Sequence, residues 1–133
     1  MKIDPMILPA ELAVGWLTTF LVGTELFVFS PLLPTLVANY DVSSSMAGLC
    51  VTIFSATYMI SAPLLGHISD WVGKRRVLIC CLLAFGTANL LTASAVNFPW
   101  LLALRLFAGA AAAGVSPSIY ALVGDAEIGR AHV

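Results

Sequence analysis

Glu25 and Arg105 are the two charged residues that fall inside long apolar stretches of this 133-residue chain. A charged side chain at the middle of a membrane helix costs about 2.5–3.5 kcal/mol even on the mildest scale, so one found there has a function or a partner by default. The two residues have complementary chemistry. A carboxylate can take up and release a proton, whereas a guanidinium keeps its charge and, when close, favours the ionised form of the carboxylate. Together they are either a static charge match or a proton site whose state depends on how near the arginine stands. Tyr58 is a third polar group that could line the same cavity, with packing as its plainer role.

The elements that position these groups follow from composition. Apolar residues are 60% of the chain and charged residues 10%, against roughly 45–50% and about 25% in soluble domains. The chain therefore reads as all-α and transmembrane, with four spans at about 12–38, 46–68, 77–96 and 100–123, since a bilayer core requires about 20 apolar residues as a helix. Pro31 and Pro34 are expected to kink or end the first span, because each lacks a backbone N–H. Ser43 to Ser45 offer capping oxygens to the second. Asn89 is the single amide of the third, and Asn97 to Trp100 form an uncharged turn before the fourth. Residues 1–11 and 124–133 read as cytosolic segments, the second stopping short of a fifth span. The first apolar run is too long for a signal-peptide core and follows Asp4 and Glu11, so the N-terminus is expected to stay attached as the first membrane helix.

Basic residues orient the bundle. Lys2, Lys74, Arg75, Arg76 and Arg130 all fall on one side of a four-span arrangement and none on the other, which makes that side, with both ends, cytosolic. Only Arg105 is left over. Glu25 lies about 13 residues, roughly 20 Å, from the cytosolic start of its span, leaving about 10 Å to the outer edge of a core ~30 Å thick. Arg105 lies about 5 or 6 residues below Trp100, roughly 8 to 9 Å from that edge, so the two can meet. Ala108, Gly109, Ala112, Ala113 and Ser116 follow Arg105 at helical spacing, a small-residue face of the kind that lets membrane helices approach closely. Thr18, Val22 and Glu25 likewise share one face of the first span.

Other chemistries find little support. Cys50, Cys80 and Cys81 lie in apolar runs without metal-site or disulfide spacing, and read as packing or lipid-facing residues. His67 reads as an interfacial histidine. There is no phosphate-binding loop and no ligand cluster for a metal or cofactor, and a net charge of -1 gives no argument for nucleic acid.

The remaining charges concentrate between the second and third spans, in Gly66-His67-Ile68-Ser69-Asp70-Trp71-Val72-Gly73-Lys74-Arg75-Arg76. Asp70 at a helix end and three basic residues at a helix start both oppose the helix dipole, so local helix stability explains neither. Gly73 suits a reversal of direction. Gly66, Asp70, Gly73, Lys74 and Arg75 resemble the loop motif between the second and third helices of the major facilitator superfamily, with Trp71 where a basic residue usually follows the aspartate. The segment from Arg105 to Gly109 is similar to the fourth-helix motif of that superfamily's drug:proton antiporters, and Pro31-Leu32-Leu33-Pro34 resembles a proline pair at the end of their first helix.

The resemblance implies that the chain is the N-terminal four-helix portion of a twelve-helix secondary transporter, multi-pass in the inner (plasma) membrane. It further implies proton-coupled efflux of a small molecule, with Glu25 and Arg105 in proton coupling and the loop motif in conformational exchange. Its partners would be the substrate, protons, the lipid bilayer and the remainder of the transporter. Two alternatives stand beside it: a four-helix dimeric transporter similar to the small multidrug resistance family, which also uses a first-helix glutamate, and a non-transporting membrane subunit.

Overall fold

The computed structural model describes the backbone of residues 7–131, and the side chains of residues 12–115 apart from Leu26. Lys2 and His132, and the side chains of Ser116 and Arg130, lie outside the described residues. Four helices follow one another: α1 (Ile7–Tyr40), α2 (Ser44–Val72), α3 (Lys74–Ala93) and α4 (Phe98–Ala131). All four are long and apolar enough to cross a membrane, and the described residues contain no strand.

Every helix limit differs from the sequence expectation by two residues or more, and four places bear on the fold. Helix α1 begins at Ile7, inside the segment expected to precede the first span. It also runs through Pro31 and Pro34 to Tyr40 without ending. Breaking a helix in an apolar surrounding would strand more carbonyl and amide groups than the two hydrogen bonds the prolines remove, so continuation is the cheaper course. Helix α4 likewise continues past residue 123 to Ala131.

The fourth difference is at the segment expected to be a loop. Residues 66–72 are the last turns of α2, Lys74 to Arg76 are the first turn of α3, and Gly73 alone joins them. Gly73 has φ 105°, a value that side chains disfavour. Its N–H donates to the Ser69 carbonyl at 3.1 Å, closing α2, and its own carbonyl accepts from Arg76 and Val77 at 3.2 Å each, opening α3. One residue therefore terminates one helix and starts the next.

Side-chain caps open the helices after the other turns, at Ser43 as the sequence suggests and also at Asn97. Ser43 Oγ accepts from the Met46 N–H at 3.2 Å at the start of α2, and Asn97 Oδ1 accepts from the Trp100 N–H at 2.9 Å at the start of α4. Tyr40, the last residue of α1, donates its hydroxyl to the Ala95 carbonyl at 2.9 Å, tying α1 to the turn between α3 and α4.

Helix α4 is the axis of the bundle. In its most apolar stretch 61% of residues are buried, against at most 24% in the other three helices. It packs most extensively on α2 and α3, while α1 rests more lightly on α2 and α4; among the described residues the α1 and α3 backbones do not come within 8 Å of each other between Cα atoms. Because lipid tails are as apolar as leucine, close packing and polar contacts have to hold such helices together. Small residues provide the packing: Ala108, Gly109 and Ala111 to Val115 are all buried. One apolar cluster joins Val22, Phe54, Cys81, Phe85 and Ala112 across all four helices. A second, of Phe29, Cys50, Phe98 and Leu101, lies toward the turns between α1 and α2 and between α3 and α4.

Candidate functional site

All four helices meet at the guanidinium of Arg105, which is 1% exposed. Its Nη1 donates to Glu25 Oε1 of α1 in an ion pair. Its Nη2 donates to Asn89 Oδ1 at 2.8 Å and to Thr92 Oγ1 at 3.3 Å, both on α3. The Phe29 ring of α1 lies 4.1 Å from the guanidinium carbon, and the Phe54 ring of α2 lies 5.7 Å from it. Aromatic faces attract a desolvated cation by about 2 kcal/mol, so the charge is held by one anion, two neutral oxygens and two rings.

Helical periodicity delivers these groups. Gly15, Thr18, Val22 and Phe29 are buried and Glu25 falls among them, at alternating spacings of three and four that keep one face of α1 toward α4. On α3, Phe85 and Ala88 are buried, and Asn89 and Thr92 extend that face by one turn. Thr92 donates its own hydroxyl proton to the Ala88 carbonyl at 2.8 Å, which leaves its oxygen free to accept from Arg105.

The structure thus brings Glu25 and Arg105 together, as their depths suggest. Tyr58 is half-buried and packs against the first apolar cluster, one turn along α2 from Phe54. The expectations for direction hold as well: Arg105 faces inward, and its small-residue face is buried as far as Val115. Asn89 and Thr92 as partners of Arg105 were not read from the sequence. The signal was there in a lone amide in an apolar span with a hydroxyl three residues on, but nothing in one sequence says which span it faces. Phe29, one turn beyond Glu25, could be found by the same spacing.

The residues that resemble the loop motif lie at the other end of α2. Gly66 is half-buried, and a side chain there would meet nothing within 4 Å, whereas Gly73 is required by its backbone angle. Asp70, Lys74, Arg75 and Arg76 line one groove of about 700 Å³ at the junction of α2 and α3. Within each helix their signs oppose the dipole, but a one-residue turn sets the two helix ends side by side. The carboxylate then lies near the positive start of α3 and the basic residues near the negative end of α2. Trp71 is 81% exposed and its ring lies 5.9 Å from that of His67, so the residue at the usual basic position presents an aromatic face outward.

Cys50 and Cys81 are buried in the two clusters, Cys80 is exposed, and all three are free thiols. Among the described residues no group of three histidine, cysteine or acidic side chains is placed to hold a metal ion.

Four membrane-length helices that meet at an internal ion pair define a multi-pass membrane protein. The chain belongs to the Major Facilitator Superfamily, which it matches over residues 15–126, and its four helices are part of that family's twelve-helix fold. It is 34% identical over 104 residues to the uncharacterized MFS-type transporter YceJ of Bacillus subtilis, covering 78% of this chain and 27% of the relative. It is 31% identical over 100 residues to the bacillibactin exporter of the same organism, covering 71% and 25%. With the quinolone resistance protein NorA of Staphylococcus aureus it shares 27% over 115 residues, 86% of this chain and 30% of the relative. The chain therefore spans less than a third of the length of these curated relatives.

Proposed function

We propose that the chain forms the N-terminal four-helix portion of a proton-coupled efflux transporter for a small molecule, in the plasma membrane, with Glu25 as the proton-binding group and Arg105 as the charge that controls it. One observation carries the reading: a single buried guanidinium is shared between a carboxylate that can titrate and two oxygens that cannot. The ionised carboxylate pairs with Arg105, and the protonated, neutral one does not. Alternation between the two arrangements couples protonation to conformation. The exporter and resistance relatives support efflux as the direction.

The test is Glu25→Gln in the complete transporter. The amide mimics the protonated carboxyl, so proton-driven flux into or out of vesicles should fall by about 100-fold, ~2.7 kcal/mol on the barrier, while substrate binding changes by less than about threefold. Because protonation supplies the drive, the wild-type rate should depend on pH and the residual rate of the variant should not. Wild-type rates with an unchanged pH profile would reduce the pair to scaffolding.

The orientation belongs to the same proposal. Both ends are cytosolic, and the groove of Asp70, Lys74, Arg75 and Arg76 faces the cytosol, where its aspartate takes part in the exchange between inward-open and outward-open states. Single cysteines at Ser44 and Arg76, in a background without the three native cysteines, should react with impermeant reagents from opposite sides of the membrane. Labelling of both from one side would refute the orientation.

A further inference from the structure

Arg105 divides its hydrogen bonds between two helices whose backbones, among the described residues, do not pack closely on each other. One terminal nitrogen goes to α1 through Glu25, the other to α3 through Asn89 and Thr92. Three of its five N–H groups are used in this way, and the one on Nε is buried and has no acceptor, so the hold is exerted through the two ends of the fork. The two holds differ in kind. Glu25 loses its charge when it binds a proton; Asn89 and Thr92 never change theirs. The packing is asymmetric in the same sense, since α3 and α2 lie extensively against α4 and α1 lies lightly on α2 and α4.

From this we infer that Asn89 and Thr92 are positioning residues that retain Arg105 on α3 when Glu25 takes up a proton, so that α1 is the helix that parts from the bundle. The inference rests on the proton-binding reading of Glu25 and adds which partner the arginine keeps and which helix moves. Without the α3 oxygens the guanidinium would follow the carboxylate, and protonation would displace a side chain rather than a helix. The groups able to influence Glu25 from the helices packed against α1 are few. Among the described side chains there is Arg105 on α4, and on α2 the titratable groups of the span are Cys50 and Tyr58, with His67 and Asp70 only at its far end.

The experiment is a set of variants of the complete transporter, assayed for the pH midpoint of transport. Asn89→Asp gives Arg105 a second carboxylate, which competes for its charge and repels that of Glu25. The midpoint should move up by about one pH unit, a tenfold change in proton affinity. Asn89→Leu and the near-isosteric Thr92→Val remove neutral acceptors and leave Arg105 to lean on Glu25, so the midpoint should move down. Spin labels at exposed Val28 of α1, Leu90 of α3 and Phe107 of α4 supply an independent readout. On Glu25→Gln the distance from Val28 to Leu90 should lengthen while that from Leu90 to Phe107 stays fixed. Shifts in opposite directions would support positioning, because a purely structural defect has no sign. Midpoints that stay put or move together, or an α3 to α4 distance that changes with Glu25→Gln, would overturn the inference. If Glu25→Gln itself leaves the pH dependence intact, the proton-binding reading has failed first.

Discussion

Arg105→Ala is expected to destabilise the purified transporter by about 3–5 kcal/mol, the cost of removing one partner from a buried ion pair, and to reduce transport to background. The value should fall at the lower end of that range. Glu25 is 16% exposed and can shed its unpaired charge by taking up a proton, whereas Asn89 and Thr92 lose a donor and have no such escape. Arg105→Lys isolates geometry from charge. An ammonium is a point charge on a flexible stem and cannot give one end to α1 and the other to α3, so it should keep most of the stability yet couple poorly. A double-mutant cycle between Glu25→Gln and Arg105→Ala, read by thermal unfolding in detergent, then measures the pair itself. Additive effects would show that the contact contributes nothing beyond its separate members.

The second large effect is at Gly109. A methyl group there would lie 2.5 Å from the Phe54 carbonyl oxygen and 3.2 Å from two further backbone atoms of the same residue. Backbone cannot rotate aside, so α2 and α4 must separate, and Phe54 must leave its place against Arg105. Gly109→Ala gains roughly 1 kcal/mol of helix propensity but costs about 1–3 kcal/mol in overpacking, and Gly109→Val should exceed that range. Gly114 is the informative comparison, because the nearest atom to an added methyl there is the Cys81 thiol, a side chain. Gly114→Ala should therefore be milder, and adding Cys81→Ala, which vacates that space, should restore the wild-type melting temperature. Equal penalties at Gly109 and Gly114 would show that the backbone contact is not what limits the approach of α2 and α4.

Both predictions depend on contacts that no single stretch of the chain contains, and that marks the limit of what the sequence determined. Composition and run length were enough for four membrane-crossing helices, because the bilayer imposes one length and one polarity on any span. Depth could be counted at a fixed rise per residue, so Glu25 and Arg105 were legible as a pair before any coordinates. The faces of α1 and α4 were legible too, since residues three and four apart share a side of a helix. The turn at Gly73 was misjudged in extent. A run of charged and polar residues looks like a loop, yet it is helical on both sides of the one glycine whose angle is reversed, and that glycine bonds to both helices. Of the two outcomes open at Pro31 and Pro34, a kink or an end, the helix does not end there, because the cost of breaking a helix in lipid does not appear in local propensity. Only the tertiary structure decided which helix Asn89 and Thr92 face, that Gly109 meets backbone while Gly114 meets a side chain, and that one guanidinium bridges α1 and α3. Those facts depend on how the helices are rotated and arranged around α4, and residues far apart in the chain carry no local signal of that rotation.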